Sequence, residues 1–511
     1  MATSPPMPPP STGSKPCSRP ASAIAAPDSW PRTKARSAIP IPMLTGRGKL
    51  KDAAMHSLPD PAPDTPATVA PPPSPAVPLV SAPYRRYALT LLFVTYALNY
   101  LDRQIVTILA EPIKRDLGIS DTQLGLLTGL AFGLVYCGFG LPIARLADRF
   151  NRVWIIGASL ATWSVCTVLC GRAASFGTLV AARMGVGIGE AGCAPVGMAL
   201  ISDYTPKEKR ASALAFFAMG TPVGSLLGLA LGGVIADAHG WRTAFLVTGL
   251  PGIALAVVAW LTLKEPRATM VREVEARAGI AAVFTYLWTK RTFWLMTFGA
   301  GGKAFIGYGQ APFVAAFFLR VHGGEIAQIG GHFGLKSVGV VGIGLGVLAG
   351  VFGALSNWLG GWVADRYAAR DLRAYGVVPA VAALVPIPFF IAAMLVPSFV
   401  VSLMLLVPGY LLGGLWFGPV LSSIQGLVPR DMRATAGSVA LFILNMIGIG
   451  FGSLVVGKLS DGFNTGWGNA AWALGPAEGV RWALVVSATL ALIPALLFWR
   501  SRATIRDEMV S

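Results

Sequence analysis

Charge is what this sequence has least of. Asp, Glu, Lys and Arg make up 13% of its 511 residues, about half the share of a soluble globular domain. A chain this poor in charge, 54% hydrophobic and with a mean hydropathy of +0.62, has no room for a sizeable soluble domain. It reads as a polytopic membrane protein. Cysteine is also sparse, five in all. Cys137, Cys166, Cys170 and Cys193 fall inside apolar runs and read as packing residues. Cys166 and Cys170 share a helix face, but no His or acid stands near them to complete a metal site. No paired nucleophile and base, metal cluster or phosphate-binding glycine loop stands out. The glycines of GVGIGEAG lie within an apolar run, where a nucleotide cannot dock. These absences argue against an enzyme, and no cofactor or metal is expected.

Sixty glycines run through the apolar stretches, as expected where membrane helices approach closely. The net charge of +17 does not point to nucleic acid, because the cations sit in short loops between apolar runs and not on a polar domain. Residues 1–84 differ in kind. They hold about twenty of the 38 prolines, in runs such as SPPMPPPS and APPPSPAVP, and such a segment cannot bury a core. It is expected to be a disordered cytoplasmic tail, with one small basic patch at GRGKLK.

Apolar runs follow at 87–110, 122–143, 153–171, 175–203, 211–236, 243–263, 293–319, 333–361, 374–396, 398–428, 434–458 and 481–500. Each is long enough to span a bilayer, giving about twelve helices. A charged connection, KEPRATMVREVEARAG, follows the sixth. The expected organisation is a six-helix half at 85–264, a cytoplasmic linker at 265–292, a second half at 293–502 and a short tail at 503–511. The cation-rich segments RLADRFNR, TPKEKR, ADRYAARDLR, VPRDMR and WRSRATIR fall on one side if both termini are cytoplasmic.

The halves repeat. ARLADRFNR (Ala144–Arg152) after the second run matches GWVADRYAAR (Gly361–Arg370) after the eighth, and Pro206-x-x-x-Arg210 recurs as Pro429-x-x-x-Arg433. Matching loops at matching places imply parallel repeats about an axis along the membrane normal. With these loops the chain resembles the major facilitator superfamily over residues 85–502. NYLDR (Asn99–Arg103) and ARMGVGIGEAGCAP (Ala182–Pro195) are similar to its Spinster branch. The resemblance implies an all-α fold of twelve transmembrane helices in two pseudo-symmetric halves, and a proton-linked secondary transporter. Some eukaryotic members of that branch are associated with lysolipid and sphingoid-type export. Gly220, Gly224, Gly228 and Gly232 share a helix face and are expected to serve packing.

A charge at the bilayer centre costs about 2.5–3.5 kcal/mol on insertion scales, so it is rarely idle. Away from the ends of the apolar runs, at membrane depth, the acids reduce to Asp102 and Glu190 and the cations to Arg103, Arg183 and Lys303. Arg183 and Glu190 lie seven residues apart, on one helix face about 10.5 Å from each other. They are too distant to bond directly but can face one cavity. Asp102 and Arg103 are adjacent and need different partners. The resemblance places Asp102, Arg183, Glu190 and Arg103 in the central cavity of the first half. Asp102 or Glu190 is the expected proton site; a buried ion-pair lattice is the competing reading. Lys303 has no acid at membrane depth in its own half, so its partner is expected across the cavity or to be the substrate. Tyr308 and Gln310 beside it are candidate polar contacts, with helix-to-helix hydrogen bonding the competing reading. Phe132, Phe305, Phe313, Trp416 and Phe417 are candidate apolar walls, with core or lipid-facing packing the competing reading for each.

The resemblance further implies a cytoplasmic latch of Asp148, Arg149 and Arg152 with Asp203 as partner, and a second copy at Asp365 and Arg366 in which Gly426 replaces the acid. Three membrane cations against two acids suggest an anionic or zwitterionic amphiphile as cargo. A small hydrophilic organic anion is the alternative, and a transport-inactive sensor on the same fold a third. The expected partners are the lipid bilayer, that cargo and protons, with no nucleic acid. A monomer in a bacterial inner membrane is expected.

Overall fold

The computed structural model describes residues 80–266, 279–368 and 370–510, with the side chains of Asp148, Ile280, Ala364, Asp365 and Ala368 excepted. The expected disordered tail, up to residue 79, and most of the central linker lie outside the described residues. Among the described residues every regular element is a helix.

The first half comprises α1 (Ala82–Leu117), α2 (Asp121–Ala147), α3 (Arg152–Arg172), α4 (Phe176–Tyr204) and the 56-residue segment Lys207–Thr262. That segment measures about 84 Å at helical rise, far more than the roughly 30 Å of a hydrocarbon core. Gly240, at φ 82°, turns the chain over within it, as only glycine does without strain. The arm before Gly240 is α5 and the arm after it α6. The second half comprises α7 (Ile280–Trp288), α8 (Arg291–Val321), α9 (Gly323–Phe333), α10 (Ser337–Val363), α11 (Ala374–Leu395), α12 (Phe399–Gly426), α13 (Arg430–Gly468), α14 (Gly475–Ser501) and α15 (Ile505–Glu508). Ten helices are long and apolar enough to cross a membrane. One of them is the folded segment that holds α5 and α6. The long α1 lies outside those ten, having Asp102, Arg103, Glu111, Lys114 and Arg115 along it.

Two segments expected to be plain connections are structured. In the linker, α7 puts Trp288 and Phe284 at the surface. In the tail, α15 docks on the second half: Glu508 caps the start of α8 by accepting the Thr292 N–H at 2.9 Å, and the Val510 N–H donates to Gly426 O at 2.9 Å. On the opposite end, Glu325 of α9 accepts the Phe399 N–H at 2.6 Å and the Ser398 hydroxyl at 2.9 Å. Burial pushes this carboxyl up, but those two bonds outweigh it and hold it below its ordinary value.

Glycine sets how closely the helices meet. A Cβ at Gly224 or Gly228 would collide with the carbonyl oxygens of Ala97 and Leu101, so the glycine stripe of α5 lies directly on α1. Between the halves, wide π turns at Leu126–Leu130 in α2 and Met446–Phe451 in α13 face one another. There a Cβ on Gly133 would stand 2.9 Å from Gly450 N. Large apolar side chains such as Leu261, Met404 and Leu496 point outward, as a lipid-facing surface requires.

Candidate functional site

Four charges meet in the middle of the first half. Arg103 of α1 donates from Nε to Glu190 Oε2 at 2.5 Å. Its guanidinium lies over the rings of Tyr136 at 4.5 Å and of Phe132 and Tyr100 at 5.3 Å. Arg183 lies over Phe132 at 5.1 Å, so one aromatic ring serves both cations. Asp102, one residue before Arg103 and so turned about 100° away, accepts the Thr167 hydroxyl of α3 at 3.3 Å. Asp102, Arg183 and Glu190 are almost wholly buried.

The set is under-satisfied. Among the described residues Asp102 Oδ1, Glu190 Oε1, Arg183 Nε and Asn99 Nδ2 are buried without a hydrogen bond of ordinary geometry, which a purely structural lattice would avoid. Arg183 has no acid within ion-pair distance among the described residues. The cation that meets Glu190 is Arg103 from the neighbouring helix. Sequence spacing puts Arg183 and Glu190 on one stripe and turns Arg103 away from Asp102 only, because spacing along one helix is silent about a second helix crossing it.

A small cavity adjoins this cluster, and a larger one shares Gln104, Thr107, Tyr308 and Ala311 with that small one. The smaller, about 60 Å³, lies between the halves and is lined by Tyr100, Arg103, Phe132 and Arg183 on one side and Tyr308, Ile449 and Ser453 on the other. The larger, about 410 Å³, lies mostly in the second half. Its walls are largely apolar, with Leu345, Ile387, Phe390, Leu405, Tyr410 and Trp416 among them, and Lys303 is the one charged residue among the described residues that line it. Lys303 makes no hydrogen bond or ion pair among the described residues. Gln104, Thr107, Gln310 and Asn357 supply further polar atoms. Tyr308 lines both spaces.

The expected cavity residues divide. Gln310 lines the larger cavity and also donates from Nε2 to Ser487 Oγ at 3.0 Å, a helix-to-helix bond. Of the five aromatic residues expected as walls, only Trp416 lines the larger cavity. Phe313 is fully buried in the helix core, Phe132 carries the cations of the smaller cavity, and Phe305 and Phe417 line neither.

At the end that bears the basic loops, Arg152 pairs with Asp203, and its backbone N–H donates to Glu265 at 2.5 Å. Arg149 is exposed. Arg366 is exposed and lies over Trp362. Asp148 and Asp365 have side chains outside the described residues. Met509 packs beside Gly426, so the second copy fills with a thioether the place where the first has the Asp203 carboxylate.

The opposite end holds a cluster that sequence reading missed. Arg320 binds Glu111 at 2.7 Å and Asp121 at 2.7 and 2.8 Å, and Lys114 reaches Asp121 at 2.6 Å. Glu111 and Arg320 each stand one residue beyond the apolar run that precedes them and so passed for loop charges. The signal available was that both halves carry an acid or a cation at that boundary.

The family model of the Major Facilitator Superfamily matches residues 92–453. An MFS-type efflux pump of Mycolicibacterium smegmatis is 32% identical over 427 residues, 83% of this chain and 94% of that one. A probable L-galactonate transporter of Escherichia coli is 27% identical over 291 residues, 54% of this chain and 61% of its own length. Among solved structures, a bacterial homologue of the human lysosomal transporter Spinster, inward-facing and unoccupied, matches with a TM-score of 0.74 at 32% identity. That match covers 84% of this chain and 100% of the other. Such proteins are integral membrane transporters and not enzymes. The chain belongs to the Major Facilitator Superfamily, as a Spinster-like transporter.

Proposed function

We propose that this chain is a proton-coupled transporter of a single-tailed amphiphile with an anionic or zwitterionic head, working by alternating access. Twelve crossings are counted when α1 joins the ten apolar helices and the folded segment counts twice. The basic loops and both termini face the cytoplasm of a bacterial cell, and the protein acts as a monomer in the inner membrane.

The observation that carries the cargo reading is Lys303, a lone ammonium in a largely apolar cavity. An amine with no partner among the described residues suits an anionic group, and the surrounding aliphatic and aromatic side chains suit a hydrocarbon tail. Proton coupling rests on Glu190. A proton and Arg103 compete for the same carboxylate, so protonation releases the guanidinium toward the smaller cavity between the halves. Asp102, buried beside Thr167, is the second acceptor. Tyr308, facing both cavities, links the two events.

The test is flux in proteoliposomes with an imposed pH gradient, using a lysophospholipid as probe. Gradient-driven flux is expected to fall at least tenfold in Glu190→Gln and to vanish when Asp102→Asn is added. Undiminished flux in the double variant would defeat the assignment. A second reading, transport of a small organic anion such as a sugar acid, draws on the L-galactonate relative and on the polar atoms of Gln104, Thr107 and Asn357 near Lys303. Competition by galactonate with no effect of the lysolipid would favour it.

A further inference from the structure

Apart from the Tyr100–Tyr308 phenol contact beside the smaller cavity, the side-chain hydrogen bonds and ion pairs described between the halves lie at one end, opposite the basic loops. Their arrangement repeats. At the end of α5, the Asp237 carboxylate accepts the backbone N–H groups of Val338 at 3.3 Å and Gly339 at 2.6 Å, the first turn of α10. At the corresponding end of α13, the Asp461 carboxylate accepts the N–H groups of Asp121 at 3.0 Å and Thr122 at 2.7 Å, the first turn of α2. The fifth helix of each half thus caps the second helix of the other.

The sequence repeats with the geometry. Gly233-Val-Ile-Ala-Asp237 matches Gly457-Lys-Leu-Ser-Asp461. One helical turn before each acid, the glycine lets the two backbones meet: a Cβ on Gly233 would stand 2.6 Å from Val338 O, and one on Gly457 would collide with Asp121 O. The first N–H groups of a helix have no partner within it, and the positive end of its dipole favours an anion. Each acid supplies both, but only while the halves are together at this end.

We propose that Asp237 and Asp461 form a paired outer gate, in which each half caps a helix of the other and both caps must be lost for the outward-open state to form. The two seams are unequal. The α2–α13 seam is reinforced, since Ser460 donates to Asp121 at 2.7 Å and Arg320 binds Asp121 with two nitrogens. The α5–α10 seam adds only Lys336 donating to Asp237 O at 2.9 Å. The gate therefore parts first at Asp237. This inference rests on alternating access and on the orientation given above, not on the cargo or the proton.

The experiment uses full-length protein in lipid nanodiscs, without substrate, with native cysteines replaced. One spin-label pair is placed at His239 and Trp472, exposed on the gate end of the two halves. A second pair is placed at Phe150 and Arg430, exposed at the basic-loop end. In the Asp237→Asn, Asp461→Asn double variant a longer gate-end distance is expected in at least a fifth of the molecules. The basic-loop distance should shorten in the same fraction. Asp461→Asn alone is expected to open fewer molecules than the double variant. Unchanged distributions at both ends in the double variant overturn the proposal, as does a gate-end change that leaves the other end untouched, which marks local fraying. Should the double variant not fold, the single variants are read in the same way, and no change in either overturns it. Because no flux is read, failure of the gate is distinguishable from failure of the proposed cargo or proton coupling.

Discussion

Lys303 and Gln310 lie seven residues apart on α8 and both face the larger cavity, yet their side chains stand in different positions. The Gln310 amide donates to Ser487, while the Lys303 ammonium has no partner among the described residues. Removing the amine takes away a charge-assisted contact worth about 1.5–3 kcal/mol. Lys303→Met is therefore expected to weaken binding of an anionic lysolipid about 10- to 100-fold with little change in melting temperature. Gln310→Ala should do the reverse, lowering the melting temperature by leaving Ser487 without its donor. Thermal shift with and without the lipid measures both. At this scale the sequence went far: an unpaired cation inside an apolar run could be found by inspection, as could Asp102 and Glu190. What it could not tell is which cation meets which acid. Arg103 reaches Glu190 because α1 crosses α4 at that height, and crossing is a property of two helices together.

Among the helices, small residues decide spacing. Gly224 and Gly138 are both glycines inside membrane helices, and composition treats them alike. A Cβ at Gly224 would strike the backbone of Ala97, whereas one at Gly138 would meet nothing within 4 Å. Gly224→Ala is expected to cost about 1–3 kcal/mol through overpacking. Gly138→Ala should be neutral or stabilising by up to about 1 kcal/mol through lost unfolded-state freedom. Melting in detergent ranks the pair, and equal effects would contradict the packing described for α5 on α1. The spacing of four between glycines announced that contact in the sequence. The π turns of α2 and α13 did not announce themselves, since they arise where two helices from different halves press backbone to backbone. Nor did α15, whose Glu508 looks like an ordinary tail charge until α8 offers it an uncapped start.

For the whole molecule, the two loop signatures and the apolar runs were sufficient for two related halves, because each repeat carries its own local pattern. The seam between the halves was not legible, since its residues sit where apolar runs end and any charge looks solvated. Arg320 shows the difference in energy. It is 6% exposed and holds two buried carboxylates, and removing one partner of a buried set costs about 3–5 kcal/mol. The exposed pair Arg242–Asp116 is worth about 0–1 kcal/mol. Arg320→Gln is accordingly expected to lower the melting temperature clearly, and Arg242→Gln hardly at all; the same calorimetric scan measures both.

Confinement of nearly all the polar contacts between halves to one rim also has a thermal meaning. Below that rim the halves meet backbone to backbone at the glycines, as at Gly133 and Gly450. Sliding there exchanges one van der Waals contact for another and absorbs little heat. The rim must release charge-assisted bonds to water, so the enthalpy of opening is concentrated in a few residues of the chain.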